Sequence, residues 1–127
     1  LSNHPILPAA VHLAALEIFQ EAGIKNLRAK SVRLTAYLEF ILNELDPGHE
    51  YFRLLTPVDP EARGCQLSLY MKKNGRKIFD FIIGSGVIAD WREPDVIRLA
   101  PVPLYNTFEE IFRFGEVFRK AISHRGI

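Results

Sequence analysis

The apolar residues of this chain change their spacing at Asp46-Pro47-Gly48, and that change constrains the fold more than any other feature. Before it, Leu27, Leu34, Leu38, Ile41 and Leu45 stand 7, 4, 3 and 4 residues apart, on one face of a helix. After it, Cys65, Leu67, Leu69 and Met71 alternate with Gln66, Ser68 and Tyr70, the period of a half-buried strand. Proline followed by glycine does not continue a helix, so the two patterns meet in a turn. The chain must pack helices from its first third against a sheet built from its middle.

The remaining elements follow from the same signals. Pro8 suits the first turn of a helix; Val11, Ala14, Ala15, Ile18, Phe19 and Ala22 give it an apolar face, and Gly23 stops it. Residues 51–56 read as a short strand closed by Pro57. Asn74-Gly75 turns the chain into a short helix carrying Ile78, Phe79, Ile82 and Ile83, ended near Gly84 or Gly86. Strands are expected at 87–90 and 96–100, with a loop over 91–95 between them. Pro101 and Pro103 forbid further pairing and suggest an extended, rigid connection. Thr107 and Glu110 form a capping box for a last helix, whose buried stripe is expected from Phe108, Ile111, Phe112, Gly115, Phe118 and Ile122. The expectation is one α+β domain over residues 1–127. It has long helices over 8–45, a sheet and a helix over 51–100, and a final helix over 107–122. The sheet is small and mainly antiparallel, with helices packed on one face.

Composition removes several function classes. Lys plus Arg is 16 against 15 for Asp plus Glu, so no electrostatic pull toward nucleic acid or an anionic membrane is expected. No apolar run approaches the roughly 18 residues of a membrane span. The single cysteine, Cys65, allows no internal disulfide and suits a reducing, cytoplasmic setting. No signal peptide is read at the start, and Leu1 in place of Met suggests a processed or truncated beginning.

The search for chemistry is mostly negative. His4, His12, His49 and His124 lack ligand spacing, and Cys65 has no C-x-x-C partner, so no metal site is expected. Cys65 falls on the apolar side of its expected strand, as an inert core thiol does. Neither a P-loop nor a G-x-G-x-x-G is present, and Gly84-Ser85-Gly86 reads as a helix stop. Arg98 stands out. Its strand neighbours are apolar, and its own face is shared with Val96 and Ala100. On residues alone, an ion pair within the sheet is the better reading. The alternative is a guanidinium fork that holds a carboxylate bidentately.

Several segments together resemble a known family. They are Arg63-Gly64-Cys65-Gln66-Leu67-Ser68-Leu69, Gly86-Val87 with Asp90-Trp91-Arg92-Glu93-Pro94-Asp95, and Ile97-Arg98 through Ala100-Pro101-Val102-Pro103-Leu104-Tyr105-Asn106-Thr107-Phe108. With Ser2-Asn3-x-Pro5-Ile6, Leu16-Glu17-Ile18-Phe19 and Leu27-Arg28-x-Lys30-Ser31, they resemble kynureninase over essentially the whole chain, in order. That family consists of pyridoxal-phosphate (PLP) hydrolases of the aspartate-aminotransferase fold. The resemblance covers its C-terminal small domain only. It implies a homodimeric enzyme of tryptophan breakdown and nicotinamide-cofactor synthesis. The reaction is hydrolytic Cβ–Cγ cleavage of L-kynurenine or 3-hydroxykynurenine to anthranilate or 3-hydroxyanthranilate plus L-alanine.

By position, Arg98 matches the arginine that holds the substrate α-carboxylate. Asn3 matches an asparagine at the cofactor and substrate site, with Ser2 beside it. His4 departs from the proline or small residue of the pattern, which bears on fine substrate preference. Lys25, Lys30, Lys72, Lys73, Lys77 and Lys120 stand in no Schiff-base motif. The resemblance therefore implies a large PLP-binding domain elsewhere in the same chain, and a C-terminal domain that by itself retains no cofactor and is inactive. Two other readings stay open. One is a free-standing ligand-binding or interaction module; the other is the small domain of another PLP enzyme, a desulfurase or an aminotransferase.

Overall fold

A computed structural model describes residues 5–123. Four helices and one four-stranded sheet follow in the order α1 (Ile6–Ala22), α2 (Ile24–Leu45), β1 (Phe52–Leu54), β2 (Leu67–Met71), α3 (Gly75–Gly84), β3 (Asp90–Arg92), β4 (Val96–Leu99) and α4 (Phe108–Ser123). The sheet order is β1-β2-β4-β3, with every neighbouring pair antiparallel. This is the expected α+β architecture, with α2, α3 and α4 supplying the helical side of one core.

The core follows from the two periodicities. Leu34, Leu38 and Leu42 of α2 are buried, with Ile41 and Leu45 partly buried beside them. They meet Leu67, Leu69 and Met71 of β2, Ile97 and Leu99 of β4, Ile78 and Ile82 of α3, and Phe114 and Phe118 of α4. Phe118 stacks edge-on against Phe52 at 5.8 Å between ring centroids. Gly115 lets α4 lie close on α2, because a Cβ there would sit 2.7 Å from Ile41 Cγ2.

The turn at Asp46-Pro47-Gly48 is tied by one side chain. Asp46 is 4% exposed and accepts backbone N–H bonds from Glu50 at 2.8 Å, Tyr51 at 2.9 Å and Phe52 at 3.2 Å. The end of α2 and the start of β1 are thus joined through a single carboxylate, which satisfies otherwise orphaned amides. Farther along, Asn74 takes the left-handed conformation (φ 52°) before α3. Gly75 starts that helix where a Cβ would be 2.6 Å from Met71 Cβ.

Several expectations need correction. The first helix begins at Ile6, two residues before Pro8, and contains no buried residue. The face read from Val11, Ile18 and Phe19 is therefore solvent-exposed (72%, 53% and 42%). Residues 87–89 do not form a strand; β3 lies at Asp90–Arg92, sharing only Asp90 with the expected strand and running into the segment read as a loop. Its position is set by pairing with β4 across the turn that holds the cis Glu93–Pro94 bond. Cys65 lies before β2 rather than in it, and is only partly buried. The buried stripe of α4 uses Phe114 and Ala121, while Phe108 and Phe112 stay exposed (44% and 54%). The connection after β4 is not extended throughout. Val102 N–H donates to Asn106 Oδ1, Asn106 N–H donates to Val102 O, both at 2.8 Å, and residues 103–105 form a turn.

Candidate functional site

Antiparallel register places side chains on the two sheet faces in rows. Trp91, Ile97, Leu69 and Leu54 form a row toward the helices. The next rows point the other way, because successive side chains alternate. One is Asp90, Arg98 and Ser68; its neighbour is Arg92, Val96, Tyr70 and Arg53. No helix among the described residues covers that face, and it carries three of the chain's arginines.

Arg98 sits in the middle of the bare face, with its side chain 32% exposed. Its Nε donates to Asp90 Oδ2 at 2.5 Å, and its Nη2 contacts the same oxygen. Arg92 Nε also donates to that oxygen, at 2.9 Å. Partial desolvation pulls the Asp90 carboxyl upward, but the hydrogen bond from Arg98 and the charges of Arg92 and Arg98 outweigh it. The group is held below the usual aspartate value. Asp90 therefore stays ionised and grips one edge of the Arg98 fork. The Nη1 atom of Arg98 has no partner among the described residues, so the outer edge is open to a carboxylate. Arg53 lies over the Tyr70 ring at 5.0 Å, which leaves Arg98 as the central donor of the face.

The ion pair and the carboxylate fork, which were alternatives from the sequence, coexist in one side chain. Asp90 had drawn no attention. The signal for it was the symmetry of the hairpin about Pro94, which sets Asp90 opposite Arg98. Ser2, Asn3 and His4 lie outside the described residues.

A second arginine escaped the sequence reading. Arg63 has a side chain only 4% exposed and pairs with Glu39 of α2 at 2.7 Å, while its Nη1 donates to Pro57 O at 3.2 Å. Its backbone carbonyl accepts from Arg28 Nη1 at 3.3 Å. These bonds clamp the loop before β2 onto α2. Only the fold could reveal it, since Glu39 and Arg63 are far apart in sequence.

On the helical side, a cleft of about 480 Å³ opens between the loop after α3 and α4, lined by Leu38, Val87, Leu99, Pro101, Phe114 and Val117 among others. Arg98 is not part of it. Its polar groups are already engaged: Glu110 accepts from Thr107 N–H at 2.7 Å, and Arg113 pairs with Glu109 at 2.5 Å. Among the described residues no three His, Cys, Asp or Glu side chains gather as a metal site would require. Among the described residues no helix is long and apolar enough to cross a membrane.

Comparison with known proteins decides the family. The model of the kynureninase C-terminal domain matches residues 27–118, more than half of the chain. The chain belongs to the kynureninase C-terminal domain family. The kynureninase of Flavobacterium psychrophilum is 51% identical over 125 residues, covering 96% of this chain and 29% of that protein. The kynureninase of Monosiga brevicollis is 45% identical, covering 97% of this chain and 27% of that protein. The chain thus spans somewhat under a third of the length of the kynureninases it matches. A solved transaminase structure from an ancestral-reconstruction study superposes with a TM-score of 0.69 at 22% identity. It covers 91% of this chain and 26% of that one, a likeness of fold.

Proposed function

We propose that this chain supplies the substrate-carboxylate clamp of a kynureninase, an enzyme that hydrolyses L-kynurenine or 3-hydroxykynurenine to an anthranilate and L-alanine. The observation that carries the reading is Arg98. It stands on a sheet face that no described helix covers, with one edge of its guanidinium held by Asp90 and Nη1 without a partner among the described residues. A carboxylate arriving at the outer edge meets a fork already oriented, so less freedom is lost on binding. Asn3 and Ser2, read as neighbours of the substrate and cofactor, complete the proposed site.

No lysine stands in the strand rows around Arg98; Lys72 donates to His49 O at 2.6 Å and Lys73 to Glu50 at 3.0 Å. PLP, held by a large domain elsewhere in the full chain, supplies the electron sink of the reaction. The present residues bind and orient the amino acid. The full enzyme works as a homodimer in the cytoplasm, in tryptophan breakdown or nicotinamide-cofactor synthesis.

The test is an assay of L-kynurenine turnover by the full-length, PLP-loaded protein beside this 127-residue chain. Turnover by the full protein and none by the chain is expected. A full-length protein without turnover would overturn the reading. Tight, specific kynurenine binding by the chain alone would instead favour a free-standing binding module.

A further inference from the structure

Composition and burial disagree most in α1. Of its 17 residues only His12, Glu17, Gln20 and Glu21 are polar, yet none of the 17 is buried. Ile6, Leu7, Val11, Leu13 and Leu16 are 78%, 80%, 72%, 58% and 49% exposed. These residues project on several sides, whereas α2 and α4 each bury one stripe. Glu17, Gln20 and Glu21 share one face near its end, but a helix with apolar residues on most of its other sides belongs largely inside a structure rather than on its surface.

Three interiors are open to such a helix. A bilayer does not suit it: at 1.5 Å per residue it reaches about 25 Å, short of the roughly 30 Å hydrocarbon core, and no helix here meets the requirements of a span. A second copy of α1 does not suit it either, because two helices side by side cover one stripe each and leave the other sides wet. A protein domain that packs around it covers its several apolar sides and leaves the Glu17, Gln20 and Glu21 side to solvent.

The comparisons bear on which protein domain that is. The C-terminal domain model begins at residue 27 and leaves α1 out. The Flavobacterium relative nonetheless matches 96% of the chain, so the unmatched part is far shorter than the 17 residues of α1. That relative carries the counterpart of α1 within a protein more than three times as long. A single residue joins α1 to α2: Gly23, at φ 78°, whose N–H donates to Phe19 O and whose carbonyl accepts from Leu27 N–H, both at 3.0 Å.

We propose that α1 is a structural part of the domain that precedes this one in the full protein. It packs into that domain with its apolar sides covered, and Gly23 is the joint between the two domains. The proposal rests on the functional reading above only in taking the chain as part of a longer enzyme.

Hydrogen exchange with mass spectrometry, on the full-length protein and the 127-residue chain in parallel, tests it. Amides of α1 are expected to exchange at least about 100-fold more slowly in the full-length protein, while those of residues 34–42 in α2 change little. Equally fast exchange of α1 in both samples overturns the proposal. So does protection in the short chain that rises with its concentration, which assigns the helix to a second copy. Cross-linking of mixed light and heavy full-length subunits completes the test. Links from α1 to the same chain support insertion, and links only to the other subunit overturn it. Turnover measured on the same sample separates the two readings. Kynurenine turnover with unprotected α1 sinks the docking alone; protected α1 without turnover sinks the catalytic reading alone.

Discussion

The two faces of one sheet make opposite use of the same strands. Toward the helices, Leu67, Leu69 and Ile97 are fully buried and Leu99 nearly so. One residue along each strand, Ser68, Tyr70, Val96 and Arg98 are left half open, and an acid and two arginines share a single carboxylate oxygen. The covered face holds the fold together through apolar area. The bare face contributes little to that and is free to hold charges in a fixed geometry. A domain built this way lets its binding residues change without unfolding, because stability resides on the other side of the same backbone.

That separation can be broken at either face. The largest effect is expected from Phe118→Ala, which empties a fully buried ring site against Phe52 and Phe114. It should cost about 4 kcal/mol in urea unfolding of the chain. A loss below ~1 kcal/mol would show that the covered face is not the seat of stability. Next comes Arg98→Ala, expected to lower kcat/KM of the full-length enzyme by about 2–4 kcal/mol. The thermal midpoint of the short chain should barely move. An unchanged kcat/KM, or a collapse of the fold, would place Arg98 among the structural residues.

Asp90→Asn sharpens the comparison within the bare face. It should raise KM about tenfold with kcat nearly unchanged, the scale for losing a group that orients a ligand-binding side chain. Asp90→Glu is expected to restore part of the loss; a KM identical to the parent would leave Asp90 without a positioning role.

The smallest effect is at Thr107. Its Oγ1 accepts Glu110 N–H at 3.2 Å, and its own N–H donates to Glu110 Oε2 at 2.7 Å. Thr107→Ala should cost about 1 kcal/mol of unfolding free energy. Hydrogen bonds from Thr107 N–H, then from the Asn106 and Thr107 side chains, hold Glu110 below the ordinary value of 4.5. A carboxyl lowered on folding stabilises the folded state above its unfolded pKa, and that contribution fades as pH falls through the folded value. The Thr107→Ala deficit should therefore shrink below pH 4.5. A deficit independent of pH would show that the Thr107 hydroxyl does not bond the Glu110 carboxylate.

How much of this was legible in the sequence depended on whether the partner of each residue is local. The α2 stripe, the alternation of Leu67, Leu69 and Met71, and the Thr107–Glu110 box depend on neighbours within a few positions, and all three hold. The α4 stripe slipped because Phe108, Phe112, Phe114 and Phe118 offer two helical registers, and contact with α2 selects between them. The strand expected at 87–90 was misplaced because an apolar run imitates a strand, while pairing with β4 chose Asp90–Arg92 instead. In α1 the helix was readable but its burial was not, since nothing in the described fold covers it. At the site, the singularity of Arg98 was visible in its apolar surroundings. Its grip by Asp90 required the register of the hairpin.

Asp46 gives the molecule a mechanical property. Because its carboxylate holds the amides of Glu50, Tyr51 and Phe52 while its own N–H bonds Leu42 O at 3.1 Å, the end of α2 and the edge strand move as one body. The 22 residues of α2, a rod about 33 Å long, run from that weld to the single-residue joint at Gly23. A tilt imposed at that joint would be carried along this lever to the sheet edge. From β1 it passes through β2 to β4, the strand on which Arg98 rides.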